Sequence, residues 1–399
     1  METINNNGTE EVRKEYVVKT YKSFDDLDLK ENLHRGISSY NFKIPSRIQG
    51  IAIKPIIDRI DMIAQSQSGT GKTGTFSIGV LQRIDETKQY PQAIILSHTR
   101  ELAEQIQCVV EDIGKYMGIK TSLCVGKNPI YHNISSAKKA QILIGTPGRM
   151  IDILSRNVFN IDNINLMVMD EADALMGRDF QEQVKKIIKF LAGSCQICLF
   201  SATLPREVMF ATKNFLNNPL KLLIEKDKLT LDLIHQYYIE IPGDDKKLLA
   251  LEDLYGKFSI NQCIIYVNSI DKAEWLKEEL LTNSYTTEVI HSRVELAERT
   301  KIMKNFRASG FRVLISTDLL ARGIDFQQVG YVINFDMPMD PETYLHRIGR
   351  SGRFNKKGVS INFIGSRKDK LFMRDIEKHY RIEIPAMPEP HIINAYLTS

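Results

Sequence analysis

Asp61-Met62-Ile63-Ala64-Gln65-Ser66-Gln67-Ser68-Gly69-Thr70-Gly71-Lys72-Thr73 reads as an apolar strand, a glycine-bearing turn and the first residues of a helix. In that order the three pieces build a phosphate cradle. Gly69 and Gly71 let consecutive backbone N–H groups point inward at phosphate oxygens, and the helix N-terminus adds the positive end of its dipole. Gly71-Lys72-Thr73 closes the pattern G-x-x-x-x-G-K-[ST], with Ser66 standing at its opening position. In that pattern Lys72 reaches the β- and γ-phosphates and the Thr73 hydroxyl ligates Mg²⁺. A glycine-rich turn with no ligand is the bland alternative, and it leaves the strand and helix on either side unexplained. Ser66, Gln67, Ser68, Gly69, Thr70, Gly71, Lys72 and Thr73 are the expected nucleotide-binding residues.

Asp170-Glu171-Ala172-Asp173 follows the apolar run Leu166–Met169. A carboxylate at the C-terminal edge of a buried parallel strand faces the ligand crevice. Asp170 is the expected magnesium residue, and Glu171 is placed to polarise and orient an attacking water. The rest of the first half repeats the rhythm. Ala93–Leu96, Gln141–Ile144 and Ile197–Phe200 are strand candidates, separated by helix-like stretches such as Arg100–Tyr116 and Phe180–Leu191. Continuous apolar strands alternating with helices define an α/β class with a parallel sheet covered on both faces. The rhythm restarts after Leu222, with strand candidates Gln236–Ile241, Cys263–Val267, Glu288–His291, Arg312–Ser316, Tyr331–Phe335 and Gly358–Phe363. Only the first half carries a phosphate loop.

The 399 residues are 43% hydrophobic and 26% charged, which suits about two globular domains. The net charge of +4 means that any basic surface must be local. Five scattered cysteines imply no disulfide framework and a reducing compartment. Cys195 and Cys198 have redox or zinc spacing but no companion cluster, and read as part of a buried strand. No signal-like or membrane-length apolar run is present. The expectation is an intracellular protein with no membrane anchor. Residues 1–20 read as a disordered tail, 21–224 as the first domain, 225–232 as a charged linker and 233–399 as the second domain.

Asp170-Glu171-Ala172-Asp173 also spells the signature of the DEAD-box RNA helicases, and the chain resembles that family from about Tyr21 onward. Within it the resemblance is greatest to the eukaryotic translation initiation factor 4A group, which includes nuclear relatives in ribosomal RNA processing and the exon-junction complex. The resemblance implies two tandem RecA-like domains that close on ATP, Mg²⁺ and single-stranded RNA. Phe42 and Gln49 resemble the adenine-recognising Q motif. Thr99-Arg100 and Thr146-Pro147-Gly148-Arg149 resemble motifs that grip RNA phosphates. Ser201-Ala202-Thr203 resembles the motif that couples the nucleotide site to closure, with Asp173 as a partner.

In the second half, Asn268, Arg299, Thr317 and Arg322 match RNA-contact positions, and Gly323 and Asp325 match nucleotide contacts. His346-Arg347-Ile348-Gly349-Arg350-Ser351-Gly352-Arg353 matches the motif that completes the hydrolysis site, with His346 in a coupling position. Lys72, Glu171, Arg347 and Arg350 are the implied catalytic set, the two arginines reaching the γ-phosphate. The chain departs from the family at His98, Lys127, Ser292 and Leu296, all on the RNA side or in the second domain. The implied activity is ATP hydrolysis coupled to local RNA unwinding or RNP remodelling, in ribosome biogenesis or in translation initiation, by a monomer whose protein partners supply specificity. The alternatives are an ATP-gated RNA clamp and a P-loop ATPase acting on other substrates.

Overall fold

The computed structural model describes residues 16–66, 69–126, 129–177, 179–213, 215–216, 218–223, 234–258, 260, 262–318, 329–351 and 357–388. The expected linker 225–232, Gln67, Ser68, Lys127, Arg322, Gly323, Asp325, Gly352 and Arg353 lie outside them.

The first domain is a parallel sheet of β1 Met62–Gln65, β2 Ala93–Leu96, β3 Thr121–Cys124, β4 Ile142–Gly145, β5 Leu166–Asp170, β6 Gln196–Ser201 and β7 Leu220–Leu223. Its spatial order is β3-β4-β2-β5-β6-β1-β7. β1 therefore lies between β6 and β7, with Ala64 opposite both Phe200 and Leu222. The end of β6 is thus wedged between the phosphate loop after β1 and the acids after β5. Side chains alternate across the sheet. Met62 and Ala64 enter one core with Ile53, Phe76 and Val80, while Ile63 enters the other with Met167, Leu199 and Val184. Two packed faces explain why these strands are apolar at every position.

The second domain is a parallel sheet of β8 Ile234–Glu240, β9 Cys263–Tyr266, β10 Thr287–Ile290, β11 Val313–Ser316, β12 Tyr331–Asn334 and β13 Gly358–Ile364. Its order is β10-β11-β9-β12-β13-β8. Cys263 and Ile265 pack with Leu251 and Leu276, whereas Ile264 and Tyr266 pack on the other face with Ile302 and Phe306.

β3 and β7 were not anticipated. Both are sheet-edge strands with one buried face. Thr121-Ser122-Leu123-Cys124 alternates half-buried and buried positions, and only Leu222 is buried in β7. Neither produces the continuous apolar run of a central strand. Cys195 and Cys198 are buried free thiols, Cys198 within β6, as expected. At the chain's start, the Tyr16 hydroxyl donates to Asp58 at 2.8 Å, so contact with the first domain begins inside the stretch read as tail. No helix among the described residues is long and apolar enough to cross a membrane.

Candidate active site at the domain interface

Helix Lys72–Arg83 starts at Gly71, whose φ of 99° only glycine adopts without strain. Gly69 shares the left-handed region at φ 82°. Ser66 needs no such freedom and is not among the residues with positive φ. Its hydroxyl lies 2.5 Å from that of Thr70, bracing the loop from inside, and its carbonyl accepts from Lys72 Nζ at 2.8 Å. The serine at the opening of the cradle is therefore a structural tie.

The adenine-side residues converge on the same helix. Ser46 and Gln49 form a capping box at the start of helix Arg47–Ile57, with Gln49 Oε1 accepting from Ser46 N at 2.8 Å. Gln49 Nε2 then faces the loop, 3.0 Å from where a Cβ on Gly71 or Gly74 would stand. The same Cβ on Gly74 would lie 2.7 Å from the Phe42 ring. Phe42 is stacked with Phe24, centroids 6.4 Å apart at 15°.

The acids sit at the end of β5. Asp170 and Glu171 are 3% and 2% exposed. Asp170 accepts from Glu171 N at 3.0 Å. Burial, then the Glu171 charge, push the Asp170 carboxyl up to about 7. Burial also raises Glu171, but Lys72, His346 and Arg350 outweigh it and hold that carboxyl below its ordinary range. Glu171 has a left-handed backbone, φ 51°. For a non-glycine residue this stores about 1–3 kcal/mol and is found where a side chain must be aimed.

The donor set fits a magnesium ion. A buried carboxylate driven towards its neutral form lacks a counter-charge, and Asp170 with the Thr73 hydroxyl offers the oxygen ligands a hard cation prefers. Glu171, Asp173 and His346 also bring ligand atoms within 4.8 Å of one another. That group is already a hydrogen-bonded interdomain contact, and its imidazole is a poor magnesium ligand.

The contact runs as a relay. Asp173 N donates to Ser201 Oγ at 3.4 Å, Thr203 Oγ1 donates to Asp173 Oδ2 at 2.7 Å, and His346 Nε2 donates to the same oxygen at 3.0 Å. Ser201 O accepts from Ser66 N, so β6 ties the loop to the acids. Ser201 caps no helix, because the following one is Arg206–Thr212. His346 Nδ1 is left 4.0 Å from Glu171 Oε2, and both atoms are buried without a hydrogen-bond partner.

The two arginines differ. Arg347 was expected at the γ-phosphate, but its guanidinium is engaged inside the second domain. It donates to Asp318 Oδ1 at 2.6 Å, Asn334 Oδ1 at 3.2 Å, Asp336 O at 2.8 Å and Asn268 Oδ1 at 2.7 Å. Arg350 donates from Nε to His346 O at 3.0 Å, and its charge acts on Glu171.

The expected RNA residues also divide. Thr99 caps helix Arg100–Gly114, and Arg100 donates to Gly126 O at 3.0 Å and to Glu104. Thr146 caps helix Pro147–Leu154, and Arg149 bonds Asn133. A Cβ on Gly148 would meet only Gln183 Oε1, at 3.4 Å, so the protein itself does not demand glycine there. Thr317 is half-buried beside the end of β10. Asn268 has both amide groups committed, to Met337 O and Arg347. Arg299 crosses the interface to Glu101 at 2.5 Å, and both side chains are at most 10% exposed. Glu101 was the one interdomain residue that the sequence had not singled out. It differs from any helical glutamate only through a partner 198 residues away.

Two domains of parallel sheet, a phosphate loop on one and arginines offered by the other, define a two-domain P-loop nucleotide hydrolase. Residues 46–211 match the family "DEAD/DEAH box helicase" and residues 246–355 match "Helicase conserved C-terminal domain". The chain is 47% identical over 371 residues to the Kluyveromyces lactis "ATP-dependent RNA helicase eIF4A", covering 93% of each. The Saccharomyces cerevisiae structure "Dbp5 bound to RNA and ADP BeF3" is 34% identical, with a TM-score of 0.88, over 94% of this chain and 100% of that one. Dbp5 with Nup159, Gle1, IP6 and ADP, at 32% identity over 93% of this chain and 100% of that one, scores 0.66. One polypeptide in two complexes gives two scores, so the difference reports conformation: these domains are arranged as in the RNA complex. The chain belongs to the DEAD-box family of ATP-dependent RNA helicases.

Proposed function

We propose that this chain couples ATP hydrolysis to local, sequence-independent separation of short RNA duplexes. The observation that carries this reading is the relay Thr203–Asp173–His346, which joins the nucleotide half-site to the second domain. The working units are residues 21–224 and 233–399, acting as a monomer. Ser66–Thr73 hold the phosphates, Phe42 and Gln49 the adenine, and Thr73 and Asp170 the magnesium. When bound, Mg²⁺ neutralises charge on the phosphate oxygens.

Glu171, kept ionised by Lys72 and His346, accepts a proton from the attacking water. His346 Nδ1, 4.0 Å away, is spaced to share that water with it. Arg350 stabilises charge developing at the γ-phosphate, and Arg347 fixes the loop that presents it. Gly323 and Asp325 complete the nucleotide contacts. Arg100, Arg149, Thr99, Thr146, Gly148, Asn268, Arg299, Thr317 and Arg322 form or position the track for the RNA backbone. Contacts to phosphate and sugar carry no sequence information, so partners supply specificity.

The 46–47% identity to several fungal proteins named eIF4A favours translation initiation over ribosomal RNA processing. The test is ATP turnover with and without single-stranded RNA, beside displacement of a short duplex. RNA should stimulate hydrolysis, and Glu171→Gln should lower it about 10²- to 10⁴-fold while ATP still binds. Absence of RNA stimulation would reject the reading. One strand displaced with no further turnover would leave an ATP-gated clamp. Crosslinking to 5′ leaders rather than pre-ribosomal RNA is the expected result for the pathway.

A further inference from the structure

We propose that Arg293 is an RNA-phosphate ligand at the seam between the domains, presented by a turn that His291 holds rigid. This rests on the RNA-helicase reading above.

Arg293 follows β10, at the sheet edge where the expected RNA residues of the second domain lie. Val294 N donates to His291 O at 3.1 Å, closing a four-residue turn. Arg293 N donates to His291 Nδ1 at 3.2 Å. The imidazole is 3% exposed and anchored from its other nitrogen, since Nε2 donates to Glu274 Oε1 at 2.6 Å. A buried, doubly bonded histidine is an unusually firm base for a surface loop. From it the Arg293 side chain projects 71% exposed. Its one acidic contact is Asp271 Oδ1 at 3.3 Å, itself 90% exposed. Such a pair holds the side chain by about 1 kcal/mol or less, so a phosphate exchanges for it readily.

The turn lies between two expected RNA contacts, one from each domain. On one side Thr317 N donates to Ile290 O, the residue before His291. On the other, the turn runs straight into helix Leu296–Arg307, whose Arg299 pairs with Glu101, next to Arg100. A strand passing from Arg100 to Thr317 must pass this turn. Closure through Glu101–Arg299 thus brings a cation of the second domain beside the track of the first. His291 acts as a positioning residue for it.

Equilibrium binding of a single-stranded RNA, with a non-hydrolysable ATP analogue and across a salt series, tests this. Arg293→Ala should weaken binding about tenfold at low salt and reduce the slope of log K against log salt by about 0.7, the value for one phosphate contact on a single strand. Arg293→Lys should keep the slope, and Asp271→Asn should not weaken binding. The slope does not report on folding, so a variant that merely misfolds does not imitate the result. An unchanged slope in Arg293→Ala, while Arg100→Ala weakens binding, would overturn the proposal alone. If neither variant altered RNA binding, the RNA-helicase reading would fall with it.

Discussion

Asp170 and Glu171 are adjacent acids with opposite fates, and the difference is a matter of neighbours. Glu171 faces Lys72 and the second domain, whereas Asp170 is buried with its charge unmatched in the nucleotide-free protein. Its carboxyl rises from the ordinary 3.8 to about 7. Between those values the folded chain binds more protons than the unfolded one, so this group's stabilising effect is complete below about pH 4 and is lost as pH rises through 7. Asp170→Asn should therefore raise the melting temperature of the nucleotide-free protein at pH 8 and change it little at pH 4. Each kcal/mol corresponds to about 2–4 °C in a domain of this size. Scanning calorimetry at both pH values measures it.

The arginines make a second contrast at this scale. Arg347→Lys discards the fork that engages Asp318, Asn334 and Asn268, and should lower stability by about 3–5 kcal/mol. Arg350→Lys should leave denaturation unchanged and reduce kcat by about 10³ or more. Paired denaturant and turnover measurements separate the two.

Among elements, helix Lys72–Arg83 meets most of the site. Its first turn closes the phosphate cradle, and Gly74 receives Phe42 and Gln49. In an exposed helix Gly→Ala stabilises by about 1 kcal/mol. Here the added methyl would overlap the Phe42 ring, so Gly74→Ala should instead cost about 1–3 kcal/mol and raise the KM for ATP. A urea midpoint that moved upward would show that Phe42 yields freely.

The elements also show where sequence reading succeeds. β2, β4, β5 and β6 carry apolar residues on both faces and were located to within a residue or two. β3 and β7, at the sheet edges, carry no such pattern. The cradle was identifiable because strand, turn and helix are contiguous. The commitments of Arg347, Asn268 and Arg299 were not, because their partners come from loops far away in sequence.

For the whole molecule, closure is held at two places far apart in sequence, His346–Asp173 and Arg299–Glu101. The second borders a cavity of about 580 Å³ between the domains, with Glu104 and Asp112 on one wall and Lys304 and Arg307 on the other. Opposite charges across that seam should make closure sensitive to ionic strength. Glu101→Arg or Arg299→Glu alone leaves a buried charge unpaired and should open the domains. The double exchange should restore closure, read as energy transfer between dyes on the two domains. No recovery in the double variant would assign the effect to local misfolding.

The sequence by itself determined the parallel α/β class, the phosphate loop and the acids, because each is a local pattern whose chemistry depends on residues next to one another. Only the tertiary structure decided that Ser66 is a loop tie, that Arg347 is a strut, and that Glu101 and Arg293 belong to the seam. Those roles depend on which strand ends lie side by side and which charges burial leaves facing each other. Neither is encoded at the spacing of neighbouring residues.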